Sequence, residues 1–123
     1  MNFQPIVHYS LHLVFPFIIA WFFFRSNWRV TGLIILLTLL VDIDHIFATP
    51  IFDPSRCSIG YHPLHSFWAI GIYIVAVFFK KVRLVAIGLL FHMFTDLIDC
   101  TWTFSRCHEC FISSKIYSLL NSF

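Results

Sequence analysis

Six histidines and three aspartates in this chain recur at spacings that gather them on helix faces. His8 and His12 stand four residues apart and Asp42 and His45 three; His62 and His65 flank Pro63, and His92, Asp96 and Asp99 follow one another at steps of four and three. Residues at these intervals lie one above another on a helix. Imidazole and carboxylate together are the donor set of zinc, iron or manganese. A divalent ion held by such a set lowers the pKa of a bound water, and a nearby carboxylate, Asp96 or Asp42, can take the proton as general base, so the chemistry on offer is hydrolysis. Arg56 lies in the same stretch of chain and suits a phosphate oxygen or a lipid headgroup equally well.

The elements that must carry these groups are apolar. The chain of 123 residues is 59% hydrophobic, 20% aromatic and 11% charged, against about 25% charged in an ordinary soluble domain. A net charge of +2 with no basic tract gives no basis for nucleic-acid binding. Apolar runs at 6–24, 30–48, 64–79 and 84–104 each approach the requirement of about 20 residues for a membrane-crossing helix. Residues 1–7 hold no lysine or arginine, so a cleaved leader is not expected. Pro16 should kink the first run. The expected fold is all-α: an integral membrane four-helix bundle of two antiparallel hairpins, one domain over 1–123, with an outer loop at 49–62 and an interfacial tail at 105–123.

Charge placement orients this bundle. Arg25 and Arg29 fall between the first two runs, and Lys80, Lys81 and Arg83 between the last two. Five of the eight basic residues thus share one side, with none of the six acids among them. The positive-inside rule assigns that side to the cytoplasm. Counting up from it at about 1.5 Å per residue puts His12, Asp42, His65, Asp96 and Asp99 at about 17–22 Å and His92 at about 12 Å. Polar residues remote in sequence therefore meet in one layer. Ionisable groups at such depth are costly and generally face the bundle interior as functional groups.

The candidates exceed the three protein donors of a catalytic zinc site. Either two ions are bound or some residues orient the imidazoles that ligate. His45, His65, His92 and Asp96 are the expected ligands, Asp42 the next, with His62, His12, His8 and Asp99 further candidates. Asp44 points about 200° away from Asp42 on an ideal helix, which suits a residue that orients a ligand, caps the helix or binds on its other side. Zinc is the expected ion, with iron or manganese as alternatives. Two competing readings use the same residues: a non-enzymatic bundle in which the metal site and cysteines are structural, and an ion or proton relay. The nearly pure apolar character of the cytoplasmic halves leaves such a relay no continuous path.

Cys57, Cys100, Cys107 and Cys110 all fall on the outer side, where disulfides persist. Pairing Cys57 with Cys100 would close the rim of the site. The run CHEC at 107–110 can instead form half of a zinc knuckle with His108. In the tail, Ile112, Ile116, Leu119, Leu120 and Phe123 can form one apolar face of an interfacial helix.

The order DIDH, HPLHS, HMFTD resembles the small proteins described as membrane-bound metal-dependent hydrolases, whose motifs run Asp-x-Asp-His, His-x-x-x-His-Ser and Ser-His-x-x-x-Asp. The likeness covers residues 38–99. It departs at His62 and His65, which are one residue closer, and at Phe91, which replaces a small residue. The whole chain, including ATPIFDPSRCSIGYHPLHS and GLLFHMFTDLIDC, is similar to a family of short bacterial four-helix membrane proteins. Together with the apolar runs and the placement of charge, this bacterial likeness leads to the expectation of a multi-pass protein of the bacterial inner membrane with its site toward the periplasm. Because the candidate site lies just below the outer interface, the expected partners are the bilayer and a lipid or lipid-linked ester held at headgroup depth and hydrolysed with a bound metal.

Overall fold

The structure, a computed structural model, describes residues 2–123, which are predominantly helical with no strand among them. Helix α1 (Gln4–Leu13) runs into α2 (Phe15–Phe23), and the two are bent by 41° at their junction. Pro16 sits at the start of α2, where its missing N–H costs no hydrogen bond; the expected kink is therefore realised as a break between helices. A turn at Arg25–Asn27 leads to α3 (Trp28–Leu37).

Beyond Leu37 the helix does not stop but tightens. Thr38–Phe47 continues it as a 3-10 helix of 10 residues, although such runs seldom exceed about 3–4 residues. The Thr38 hydroxyl donates to the carbonyl of Ile35 at the changeover (2.5 Å), a local bond that competes with the regular helical ladder. With three residues per turn, every third side chain eclipses, and the buried residues here are Thr38, Val41 and Asp44.

An irregular loop and a short turn, Pro63–His65, then deliver the chain to α4 (Phe67–Ala76), whose first turn is capped by the Ser66 hydroxyl accepting from the Ala69 N–H (3.2 Å). Long helix α5 (Arg83–Arg106) packs against α1, α3 and α4. Two helices, Arg25–Phe47 and Arg83–Arg106, are long and apolar enough to cross a membrane, and the number is three only if the bent pair α1–α2 is counted as one span. The third expected crossing differs. Its regular part is the 10 residues of α4, about 15 Å of helix, because Pro63 and the extended Ser66 break the outer end of the apolar run.

The tail also departs from a single interfacial helix. Ser114 caps a new helix by accepting from the Tyr117 N–H (3.2 Å), so the tail divides into α6 (His108–Ile112) and α7 (Lys115–Leu120). Ile116 packs on the core, while Leu120 and Phe123 remain exposed.

Burial is inverted relative to a soluble domain. The bulkiest completely buried side chains are His65, His92, Thr95 and Asp44, whereas Phe22, Phe23, Leu40, Phe47, Trp68 and Phe78 are exposed. An apolar exterior around a polar interior is the arrangement that lipid, not water, favours. The small apolar core consists of Val41, Cys57, Ile59, Met93 and Cys100, with Phe67, Ile70 and Leu89 against it. Cys57 and Cys100 are joined in a disulfide, as the rim pairing anticipated. Over a separation of 43 residues the link restricts the unfolded chain by about 4 kcal/mol.

The α3–α5 crossing is tight at Gly88. A Cβ there would come within 2.6 Å of Thr38 Cγ2 and 3.3 Å of the Ile35 backbone. Gly88→Val should therefore push the two crossing helices apart and cost about 1–3 kcal/mol, read as a lower Tm of the purified protein in detergent. Gly71, on exposed α4, has open space around its Cβ position. Gly71→Ala should leave Tm unchanged or raise it, by at most about 1 kcal/mol of stability.

Candidate metal centre

Three elements aim four donors at a common point. The 3-10 helix supplies Asp42, the Pro63–His65 turn supplies His65, and α5 supplies His92 and Asp96 one turn apart. His65 Nε2 lies 3.3 Å from Asp42 Oδ1, 3.2 Å from Asp96 Oδ2 and 3.3 Å from His92 Nε2. His92 Nε2 lies 3.1 Å from Asp42 Oδ1 and 3.4 Å from Asp96 Oδ2.

With both imidazoles neutral, hydrogen bonding within the cluster leaves acceptors facing acceptors. His65 Nδ1–H donates to Asp44 Oδ2 (3.1 Å), so the neutral ring turns the lone pair of Nε2 toward two carboxylate oxygens and a second imidazole nitrogen. A single cation at the centre satisfies all four. Donors at about 2.0–2.1 Å around a tetrahedral ion are separated by about 3.3–3.4 Å, whereas octahedral neighbours at that radius are about 3.0 Å apart. The five separations of 3.1–3.4 Å lie nearer the tetrahedral spacing. The buried cluster Asp42, His65, His92, Asp96 can thus hold a metal ion.

Asp44 orients this cluster. It is 2% exposed and accepts from three N–H groups: Leu64 N (2.8 Å), His65 Nδ1 (3.1 Å) and His45 Nδ1 (3.1 Å). Its divergence from Asp42 is smaller than on an α-helix, because two residues at 3-10 spacing are separated by about 120°. Both carboxylates consequently reach the same layer from different sides. A carboxylate on the far nitrogen of an imidazole fixes its tautomer and ring direction.

The remaining candidates flank the cluster on two sides. On one, His12 Nε2 lies 3.1 Å from Asp96 Oδ1, and His8 stands beside it with ring centroids 4.5 Å apart. Asp99 meets His8 Nδ1 at 3.7 Å and accepts from Gln4 Nε2 (3.0 Å). On the other side, His45 stacks on His62 with centroids 3.8 Å apart, and its Nε2 lies 3.3 Å from Ser58 Oγ. His45 therefore sits with Asp44 and His62, 3.6 Å from Asp42 but outside the four-donor cluster. Burial, reinforced by the neighbouring His45, pushes His62 down to about 4, so its ring is neutral at neutral pH.

A cavity of about 400 Å³ opens onto this layer, with Asp42, Asp96 and His8 in its wall. Its other face is the loop after Phe47. Gly60, at φ 78°, makes the turn that no β-carbon residue takes easily, and its N–H donates to the His65 carbonyl (2.8 Å), tying loop to cluster. Arg56 also lines the cavity. It donates to the carbonyls of Pro50 (2.9 Å) and Ile51 (3.2 Å) and covers the Tyr61 ring at 4.6 Å.

Three contributors are invisible to a search for charged residues. Thr95 donates to the His92 carbonyl (2.8 Å) and touches His12 Nε2 (3.0 Å), Gln4 holds Asp99, and Ser58 meets His45. Helical spacing could have found Thr95, which is three residues after His92. Cys107 and Cys110 form a second disulfide, so the CHEC run is not a zinc knuckle and His108 lies outside the cluster.

The chain belongs to the family of unknown function DUF6122, whose profile matches residues 2–103. That match covers every candidate donor and stops short of α6 and α7. The family's description carries no activity and lends the hydrolase resemblance no support. No curated protein and no solved structure matches the chain.

Asp44→Ala removes the acceptor behind His65 without touching the cluster's own donors. It should weaken metal binding by about 10–100-fold, measured by competition with a chromophoric chelator, whereas His92→Ala should abolish tight binding at this cluster. Unchanged affinity in Asp44→Ala would deny Asp44 its orienting role.

Proposed function

We propose that this chain is a multi-pass membrane hydrolase that uses a divalent ion, with zinc our first candidate, to cleave a lipid or lipid-linked phosphoester at the non-cytoplasmic face. The observation that carries the reading is that Asp42 and Asp96, two donors of a buried four-donor cluster, also form the wall of a cavity large enough for a headgroup. In this arrangement α1–α2 forms one bent crossing, and α4 completes a fourth with the turns at its two ends. Arg25, Arg29, Lys80, Lys81 and Arg83 then face the cytoplasm.

A zinc ion so placed supplies Lewis acidity and a lowered pKa for water. The residues supply position. The Asp42 side chain is 41% exposed against 6% for Asp96, so Asp42 is the carboxylate able to accept a proton from water in the cavity. Water adds to phosphorus, the P–O bond to the lipid alcohol breaks, and the departing oxygen takes up a proton. Arg56, tethered through Nη2 to the loop carbonyls, retains other N–H groups for a phosphate oxygen. Phosphoesters are favoured over carboxylic esters for that reason.

One observation favours a second reading. Four protein donors make a closed shell, the pattern of structural zinc rather than of a catalytic site with an open position. The same cluster could therefore lock the helices together without any turnover.

Metal-loaded protein in detergent or bilayers should release phosphate or a headgroup from a panel of lipid phosphoesters. Chelation should abolish release, and Asp96→Asn should remove it with the helical circular dichroism intact. Arg56→Ala should slow it by about 10–100-fold at unchanged metal content. No release from a broad panel by fully loaded protein would leave the structural reading in its place. For topology, cysteines at 57 and 110 should be labelled from outside intact cells after reduction; labelling only after membrane disruption would reverse the orientation.

A further inference from the structure

The two oxygens of Asp96 face different neighbours. Oδ2 belongs to the four-donor cluster, 3.2 Å from His65 Nε2 and 3.4 Å from His92 Nε2. Oδ1 points the other way, 3.1 Å from His12 Nε2 on α1. The donor atoms of His8, His12 and Asp96 lie within 4.8 Å of one another.

This second group is also poorly explained by hydrogen bonding. His8 Nδ1 is buried and has no hydrogen-bond partner. It stands 3.7 Å from Asp99 Oδ1, beyond hydrogen-bond reach. His12 Nε2 faces two oxygens, Asp96 Oδ1 and Thr95 Oγ1 at 3.0 Å. The Thr95 hydroxyl proton is committed to the His92 carbonyl (2.8 Å), so that oxygen turns lone pairs toward the histidine. One Nε2 proton cannot serve both oxygens well, and none of these contacts reaches His8 Nδ1.

We propose that His8, His12 and Asp96 form a second divalent-cation site, and that the Asp96 carboxylate bridges it to the four-donor cluster with one oxygen on each ion. The two sites differ in kind. The first has four protein donors and a closed shell. The second has three and adjoins the cavity, since His8, Asp96 and Asp99 are in the cavity wall while His12 is buried behind them. Three protein donors with one open position is the pattern of catalytic zinc. Asp99, within 3.7 Å of His8 and held by Gln4, is placed to orient the His8 ring. The open, substrate-facing position thus belongs to the α1 histidines, and the closed cluster anchors the bridge. This division of labour rests on the hydrolase reading; the occupancy of the second site does not.

The test is metal stoichiometry on the full chain. Purified protein stripped with chelator and titrated with Co(II) or Mn(II) should bind two equivalents, and the Mn(II) form should show the exchange-coupled electron paramagnetic resonance spectrum of bridged ions. His8→Ala, at a partly exposed position, and His12→Ala should each reduce the count to one and leave an uncoupled single-ion spectrum, with helical circular dichroism as the folding control. Two uncoupled ions in the wild type would overturn the bridge. A single equivalent in the wild type, or two that survive in both variants, would overturn the second site while leaving the four-donor centre standing. No bound metal at all would bring down the proposed function as well. Phosphoester release, where present, should rise with the second equivalent; release complete at the first would take the catalytic position away from His8 and His12.

Discussion

Like-ended groups converge in the middle of this molecule, and everything around them is arranged to hold that convergence. Two imidazole nitrogens and two carboxylate oxygens face one point with 3.1–3.4 Å between them. In an apolar interior such groups are strongly unfavourable unless they are paired or coordinate an ion. The cost makes the geometry informative, because a bundle with no use for these residues would be more stable with Leu or Phe in their place. Gly88 lets α3 and its 3-10 extension come close to α5, bringing Asp42 to His92. Asp44 then holds the Pro63–His65 turn by the Leu64 N–H as well as the His65 ring.

Much of this was readable from residue spacing. The polar residues of four apolar runs were expected in one layer, and the structure places them there. The Cys57–Cys100 pairing and the break at Pro16 could be anticipated from the position of the cysteines and the missing N–H of proline. What could not be read depends on local geometry that composition does not reveal. Asp44 was placed on an ideal α-helix, whereas a turn of three residues brings it round to His65. The apolar run from Leu64 to Phe79 was long enough to cross, but Pro63 and the capping Ser66 take its outer residues out of the helix. Thr95, Gln4 and Ser58 are neutral, and neutral side chains in an oily chain are ordinarily uninformative until their partners are known.

The loop after Phe47 shows how an irregular segment can be as determined as a helix. Its middle is fastened to α5 through Cys57, its turn at Gly60 donates to the His65 carbonyl, and its arginine is held by the loop's own carbonyls and by Tyr61. The cavity under it owes its shape to these ties. The tail continues the same construction, since Ile116 packs against the core cluster that includes Ile59 and Cys100.

The disulfide between Cys57 and Cys100 also changes the topology of metal capture. The chain it closes contains His65, His92 and Asp96, while Asp42 reaches the cluster from outside the ring. The donors are thus organised like a macrocyclic chelator with one pendant arm. Closing the ring confines three donors to one covalent loop, which raises their effective concentration around an ion even when the flanking helices loosen. The pendant carboxylate arrives on a separate helix and can leave without opening the ring. Release of the ion would then begin by swinging one arm away, so that its exchange is governed by the mobility of the segment carrying Asp42 and not by dissolution of the whole bundle.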